Sequence, residues 1–179
     1  YGVASWLKQF DIVNNQNALK NYSNDFRKIT EYFNDIEAKI NVSEVIYGTE
    51  SNETLEGTMS GDILWGDSGN DTINAGGGND FIYGGTGNDI LNGGAGDDTY
   101  YFEENHGNDI IHDTEGNNKL VFTDGISADD YNMSIDAKLG FVLTHKETGE
   151  TISMPNLLTN PLNYNFSFEG KSQIEGGIE

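Results

Sequence analysis

The feature that most constrains this chain is a nine-residue unit that recurs five times in register, with the consensus Gly-Gly-x-Gly-x-Asp-x-apolar-x. The copies occupy residues 57–65, 66–74, 75–83, 84–92 and 93–101. Every copy has Asp at its sixth position and a large apolar side chain at its eighth. An uninterrupted array with a fixed short period indicates a solenoid in which each unit contributes the same local structure.

Each unit combines a tight turn with a short strand. The glycines permit left-handed backbone, so the first six residues form a turn with inward carbonyls, to which the Asp adds a carboxylate. In the strand that follows, position eight faces one way and positions seven and nine face the other. If turns alternate between two sides, two units make one coil of 18 residues. Turns 18 apart then stack at about 4.8 Å, so the array predicts a mainly β fold, a parallel β-roll.

The turns offer only hard oxygen ligands, carbonyls and carboxylates, which is the mixture that calcium prefers. Magnesium would keep more water, whereas zinc and copper favour Cys or His; the chain has no Cys and three scattered His. We therefore predict several Ca²⁺ ions, about four to six, between stacked turns.

The predicted metal ligands are the carboxylates of Asp62, Asp71, Asp80, Asp89, Asp98 and Asp109, with the turn residues Gly66, Gly69, Gly76, Gly78, Gly84, Gly85, Gly87, Gly93, Gly94 and Gly96. The best stacked pairs are Asp62/Asp80, Asp71/Asp89 and Asp80/Asp98. Three further pairs are weaker because of an unsuitable residue or a two-residue insertion after the fifth copy: Glu53/Asp71, Asp89/Asp109 and Asp98/Asn118.

Charge supports a bound cation. The chain carries 30 acidic and 9 basic residues, a net charge of −21, and has no Lys or Arg between Lys39 and Lys119. Such a segment repels itself unless cations supply the missing charge. The acidic balance argues against nucleic acid and anionic membranes, and no apolar run approaches the roughly 20 residues that span a bilayer. The absence of Cys fits an exported protein stabilised by metal instead of disulfides.

Residues 44–121 resemble the RTX (repeats-in-toxin) family, whose nonapeptides fold as a parallel β-roll around calcium. Residues 100–102, 107–111 and 120–126 are similar to the domain that follows such arrays in haemolysin-like toxins and iron-regulated RTX proteins. The resemblance implies a secreted, extracellular protein of a Gram-negative bacterium. It also implies export by type I secretion machinery and folding outside the cell, where calcium is abundant.

Three segments are expected. An apolar stripe predicts a helix within residues 1–42, and residues 43–121 form the roll. Residues 122–179 form a β-rich cap, with strands at 131–136, 141–146 and 151–154 and a hairpin turn at 147–150. Position nine on one side of the roll forms an aromatic ladder of Tyr47, Trp65, Tyr83 and Tyr101. We expect the helix to cover this ladder; the alternatives are a coiled-coil partner for the helix and an exposed ladder that binds sugar.

These features favour a calcium-dependent folding and secretion module of a large RTX toxin or exoprotein. One alternative is a ligand-binding module of an RTX adhesin that contacts a host-cell surface or carbohydrate. Another is a noncatalytic appendage of a secreted enzyme. We expect no enzymatic activity in these residues, because neither an HExxH helix nor a Walker motif is present.

Overall fold

The computed structural model describes residues 43–123, 126, 128–158 and 164–167. The predicted N-terminal helix, residues 1–42, lies outside the described residues.

Two sheets are formed by strands that alternate along the array. The first sheet is parallel throughout, in the order β1 (Val45–Tyr47), β3 (Ile63–Trp65), β5 (Phe81–Tyr83), β7 (Thr99–Phe102), β9 (Asn118–Phe122) and β13 (Tyr164–Ser167). The second has the order β10 (Tyr131–Asp136), β11 (Gly140–His145), β12 (Thr151–Met154), β8 (Asn108–His112), β6 (Ile90–Ala95), β4 (Thr72–Gly77) and β2 (Thr54–Glu56). Two short 3₁₀ helices, Ala128–Asp130 and Pro155–Leu158, complete the described elements.

The register of both sheets follows the repeat. Leu64 pairs with Ile82 and Ile82 with Tyr100, so each strand lies one 18-residue coil from its neighbour. The next pair, Tyr100 with Leu120, is 20 residues apart, because the two inserted residues are absorbed before β8. Phe102, one of the inserted residues, extends β7, where its buried ring stacks on that of Phe122. The predicted parallel β-roll is therefore confirmed.

The core is the column of side chains at position eight. These residues are buried between the two sheets: Leu55, Leu64, Ile73, Ile82, Leu91, Tyr100, Ile111 and Leu120. Each such side chain contributes about 1.5–3 kcal/mol when it leaves water. Each nonapeptide thus contributes one large apolar side chain to a continuous core.

The outward faces of the two sheets differ. On the first, Tyr47, Trp65, Tyr83 and Tyr101 lie in register, and the rings of Trp65 and Tyr83 are 4.2 Å apart. Ile63 and Phe81 are buried on this sheet, whereas Ile90 on the second sheet is 39% exposed. The aromatic ladder expected at position nine is therefore present on the first sheet.

The strands beyond the array continue both sheets. β10, β11 and β12 form an antiparallel meander, β12 pairs in parallel with β8, and β13 pairs in parallel with β9. The strands predicted at 131–136 and 151–154 have those bounds, and the strand predicted at 141–146 spans Gly140–His145. Within the described residues, no helix has the length and apolar character needed to cross a bilayer.

Candidate calcium-binding turns

The turns of the array stack in two rows. The Asp80 row contains the turns of Asp62, Asp80, Asp98 and Asn118; the Asp89 row contains those of Glu53, Asp71, Asp89 and Asp109. Each successive turn in a row belongs to the next coil of the roll.

Tight stacking explains the glycines. Gly87 has φ +138°, and a Cβ placed on it would strike the carbonyl oxygen of Gly69 in the adjacent turn. Any side chain there would separate the turns. Seven of the ten predicted glycines have positive φ: Gly69, Gly76, Gly78, Gly85, Gly87, Gly94 and Gly96. Gly66, Gly84 and Gly93 occupy position one, where a Cβ would meet the carboxylate Oδ2 of the Asp in the same turn.

One oxygen of each buried Asp holds the stack together. Oδ1 of Asp80 accepts a hydrogen bond from the backbone N–H of Asp62 at 2.7 Å, and Oδ1 of Asp98 accepts one from Asp80 at 2.9 Å. In the other row, Oδ1 of Asp89 accepts the N–H of Asp71 at 2.8 Å. These hydrogen bonds align the carboxylates in a line along each row.

The second oxygen is left for a ligand. Oδ2 is buried and has no hydrogen-bond partner among the described residues in four of the turns, those of Asp71, Asp80, Asp89 and Asp98. Burial of an unsatisfied anionic oxygen is costly. Desolvation accordingly raises the pKa of Asp80 to about 6 and those of Asp89 and Asp98 to about 7, with the neighbouring carboxylates contributing further. A cation between the turns would remove this cost, so these side chains fit the calcium that the repeats imply.

The two remaining predicted carboxylates are already bound by the protein. Oδ2 of Asp62 accepts the N–H of Thr58 at 2.6 Å. Oδ2 of Asp109 lies 2.8 Å from Nδ1 of His106, which is buried and whose Nε2 lies 3.2 Å from the Tyr131 hydroxyl. The structure thus places all six predicted Asp residues in the turns, but in two environments.

A second ladder, at position five, was missed by the sequence reasoning. The backbone N–H of Asn88 donates to Oδ1 of Asn70, and that of Asn108 donates to Oδ1 of Asn88, both at 2.8 Å. Asp97 accepts the N–H of Asn117 in the same way at 2.7 Å. The signal was available, because position five is Asn or Asp in most copies. These side chains keep adjacent turns in register.

A metal here would depend on the backbone. Within the described residues, no three His, Asp or Glu side chains converge on one point. Each stacked pair of turns offers carboxylate oxygens from position six, and the remaining ligands would be peptide carbonyls. Calcium accepts that combination, because it takes six to eight oxygens in irregular geometry.

The comparisons with known proteins agree with this geometry. A family model for the RTX calcium-binding nonapeptide repeat matches residues 47–82, 75–104 and 105–122. No match was found among curated protein sequences. The solution structure of the AlgE6R3 subunit of the Azotobacter vinelandii mannuronan C5-epimerase is similar, with a TM-score of 0.51 and 21% identity over 74% of this chain and 86% of that one. The AlgE6R2 subunit of the same enzyme gives a TM-score of 0.55 and 25% identity over 71% of this chain and 95% of that one. Residues 47–122 are therefore RTX calcium-binding nonapeptide repeats, wound into a β-roll.

Proposed function

We propose that this chain is a calcium-dependent folding module of a secreted protein, unfolded at low calcium and folded once calcium fills its turns. One observation carries the proposal. Four buried carboxylate oxygens, one in each of four turns, have no partner among the described residues. They lie in a segment that has no Lys or Arg between Lys39 and Lys119 to neutralise them.

The energetics favour coupled binding and folding. Without a cation, each coil that joins the roll buries a carboxylate beside another one. An ion between the turns of Asp71 and Asp89, or of Asp80 and Asp98, would take the free Oδ2 atoms together with turn carbonyls. Since this site is assembled only in the roll, its binding free energy contributes directly to folding. The parent protein would pass type I secretion machinery unfolded and fold in the calcium-rich medium outside a Gram-negative cell.

Circular dichroism in chelator, followed by separate calcium and magnesium titrations, tests the proposal. We expect little β signal in chelator, a cooperative rise with calcium, and a much weaker response to magnesium, which binds fewer protein oxygens. Equal β content in chelator and in calcium would contradict it.

A second candidate is a noncatalytic, carbohydrate-binding appendage of a secreted enzyme. It is favoured by the shared fold with two subunits of a mannuronan epimerase. Calorimetry of the calcium-loaded protein with mannuronan oligomers, with and without excess salt, distinguishes the candidates. Binding that persists in excess salt would favour the carbohydrate-binding appendage. If no heat of binding is measured, only the calcium-dependent folding module remains as a candidate.

A further inference from the structure

The last turn of the Asp80 row lacks its acidic residue. Asn118 stands where Asp stands in the preceding turns, and its Oδ1 accepts the Asp98 N–H at 2.8 Å, as an Asp would. Its Nδ2 donates to the carbonyl of Glu115 at 2.8 Å. Asn118 therefore continues the ladder but brings no charge to an ion beside Asp98.

Another carboxylate occupies the same turn at an unusual place. Asp113 stands at position one, which is Gly or Ala in all five regular copies, and it is only 2% exposed. Its Oδ2 accepts a hydrogen bond from the Tyr100 hydroxyl at 2.6 Å, and its Oδ1 accepts the Glu115 N–H at 3.1 Å. Both bonds hold the carboxylate inside the roll.

Asp113 and Asp98 converge. A Cβ placed on Gly93 would contact three oxygens at once: Oδ2 of Asp98, Oδ2 of Asp113 and the hydroxyl of Tyr100. Oδ2 of Asp98 is buried and has no hydrogen-bond partner among the described residues. Two buried carboxylates that approach each other repel unless a cation lies between them or one is protonated. The unpartnered oxygen of Asp98 points to the cation.

We propose that Asp113 completes a calcium site at the end of the Asp80 row, supplying from position one the carboxylate that Asn118 no longer supplies from position six. Tyr100 is a positioning residue, because its hydroxyl holds Asp113 toward Asp98. The inference rests on the proposed calcium-dependent function. The Asp89 row ends differently, since Oδ2 of its last carboxylate, Asp109, is paired with His106.

Native mass spectrometry of the full chain, loaded with calcium, counts the ions directly. Asp113→Asn keeps an acceptor for the Tyr100 hydroxyl and removes the charge. Asp97→Asn is the matched control, because Asp97 is exposed, lies beside Asp98 and occupies a position that is Asn in neighbouring turns. The double variant Asp113→Asn, Asn118→Asp returns the carboxylate to position six.

We expect Asp113→Asn to bind one ion fewer than the unmodified chain while its β signal in calcium persists. Asp97→Asn should keep the full number, and the double variant should recover it. A full complement of ions in Asp113→Asn would overturn the inference, as would loss of one ion in Asp97→Asn. Neither result would affect the proposed function, which fails if the unmodified chain binds no calcium or has the same β content in chelator and in calcium.

Discussion

Replacing Asp89 with Asn should act in opposite directions with and without calcium. Oδ1 of Asp89 accepts the Asp71 N–H, whereas its Oδ2 is buried and has no partner among the described residues. Asn retains the first contact and removes the charge. In chelator the variant should favour the folded roll, and in calcium it should weaken ion binding.

The structure sets the size of both effects. Since burial raises the pKa of Asp89 from 3.8 to about 7, keeping it ionised in the folded state at pH 8 costs at most about 4 kcal/mol, and solvent screening reduces that cost. The new amide leaves a buried N–H unsatisfied, which costs about 1–3 kcal/mol. The calcium-free roll should therefore gain at most about 3 kcal/mol. In calcium, each 1.4 kcal/mol of lost ion binding corresponds to an affinity about tenfold weaker at that site, and it raises the midpoint of a transition that takes up several ions together by less than tenfold.

Two titrations followed by circular dichroism measure these effects. Trimethylamine N-oxide in chelator drives the calcium-free chain toward the folded state, and Asp89→Asn should lower its midpoint. Calcium titration without osmolyte should show a higher midpoint for the same variant. Asp97→Asn removes the same charge from an exposed position and should move neither midpoint appreciably. The assignment of Asp89 as a buried ligand would be refuted if Asp89→Asn favoured the folded state both with and without calcium, or disfavoured it in both conditions.

Three other outcomes are expected. In chelator, acidification from pH 8 to pH 5 should increase β content, because burial raises the pKa of Asp89 and Asp98 to about 7, so that the folded roll binds protons more tightly than the unfolded chain. The added β content should be lost again as the pH rises through about 7. A β content that does not change with pH would contradict this reasoning. Gly87→Ala should abolish calcium-induced folding, because its Cβ would strike the adjacent turn. Gly149→Ala is also at positive φ but has nothing near its Cβ, so it should lower the free energy of unfolding in urea by only about 1 kcal/mol. Equal losses of stability in the two variants would show that turn stacking does not require glycine at position 87. If residues 1–42 cover the aromatic ladder, their deletion should increase the binding of a hydrophobic dye to the calcium-loaded chain. Unchanged dye binding would contradict the hypothesis that this segment covers the ladder.

The nine-residue spacing of the Gly, Asp and apolar positions was enough to predict the roll. A period of nine with Leu64 and Ile82 at equivalent positions fixes both the strand register and the core of the regular copies, because strand side chains alternate and the coils before the insertion have equal length. The acidic positions followed from the same count. The repeat spacing does not show which carboxylate oxygens lack a hydrogen-bond partner.

That distinction depends on residues outside the repeat unit. Asp109 has the same position in its turn as Asp89, but only Asp109 meets His106, three residues before it, and His106 is held in place by Tyr131 of the following meander. The pairing arises from packing beyond the array, which a local pattern does not contain. Asp113 departs in sequence from the Gly or Ala of position one, but its convergence with Asp98 is visible only once the two turns are stacked.

Two ends of the stacked rows are stabilised differently from the turns between them. At the first regular turn, Thr58 satisfies the second oxygen of Asp62, and at the end of the Asp89 row His106 does so for Asp109. The four carboxylates between them have no such protein partner among the described residues. A coil of a solenoid can share an ion only with an adjacent coil. A terminal turn stabilised by ions alone would therefore have a carboxylate whose negative charge is not neutralised on its open side. Protein partners solve this problem at these two ends, whereas the end of the Asp80 row is where we propose the calcium site completed by Asp113. We therefore expect folding to be cooperative in calcium, because a middle coil would gain its ions only when both adjacent coils are already in place.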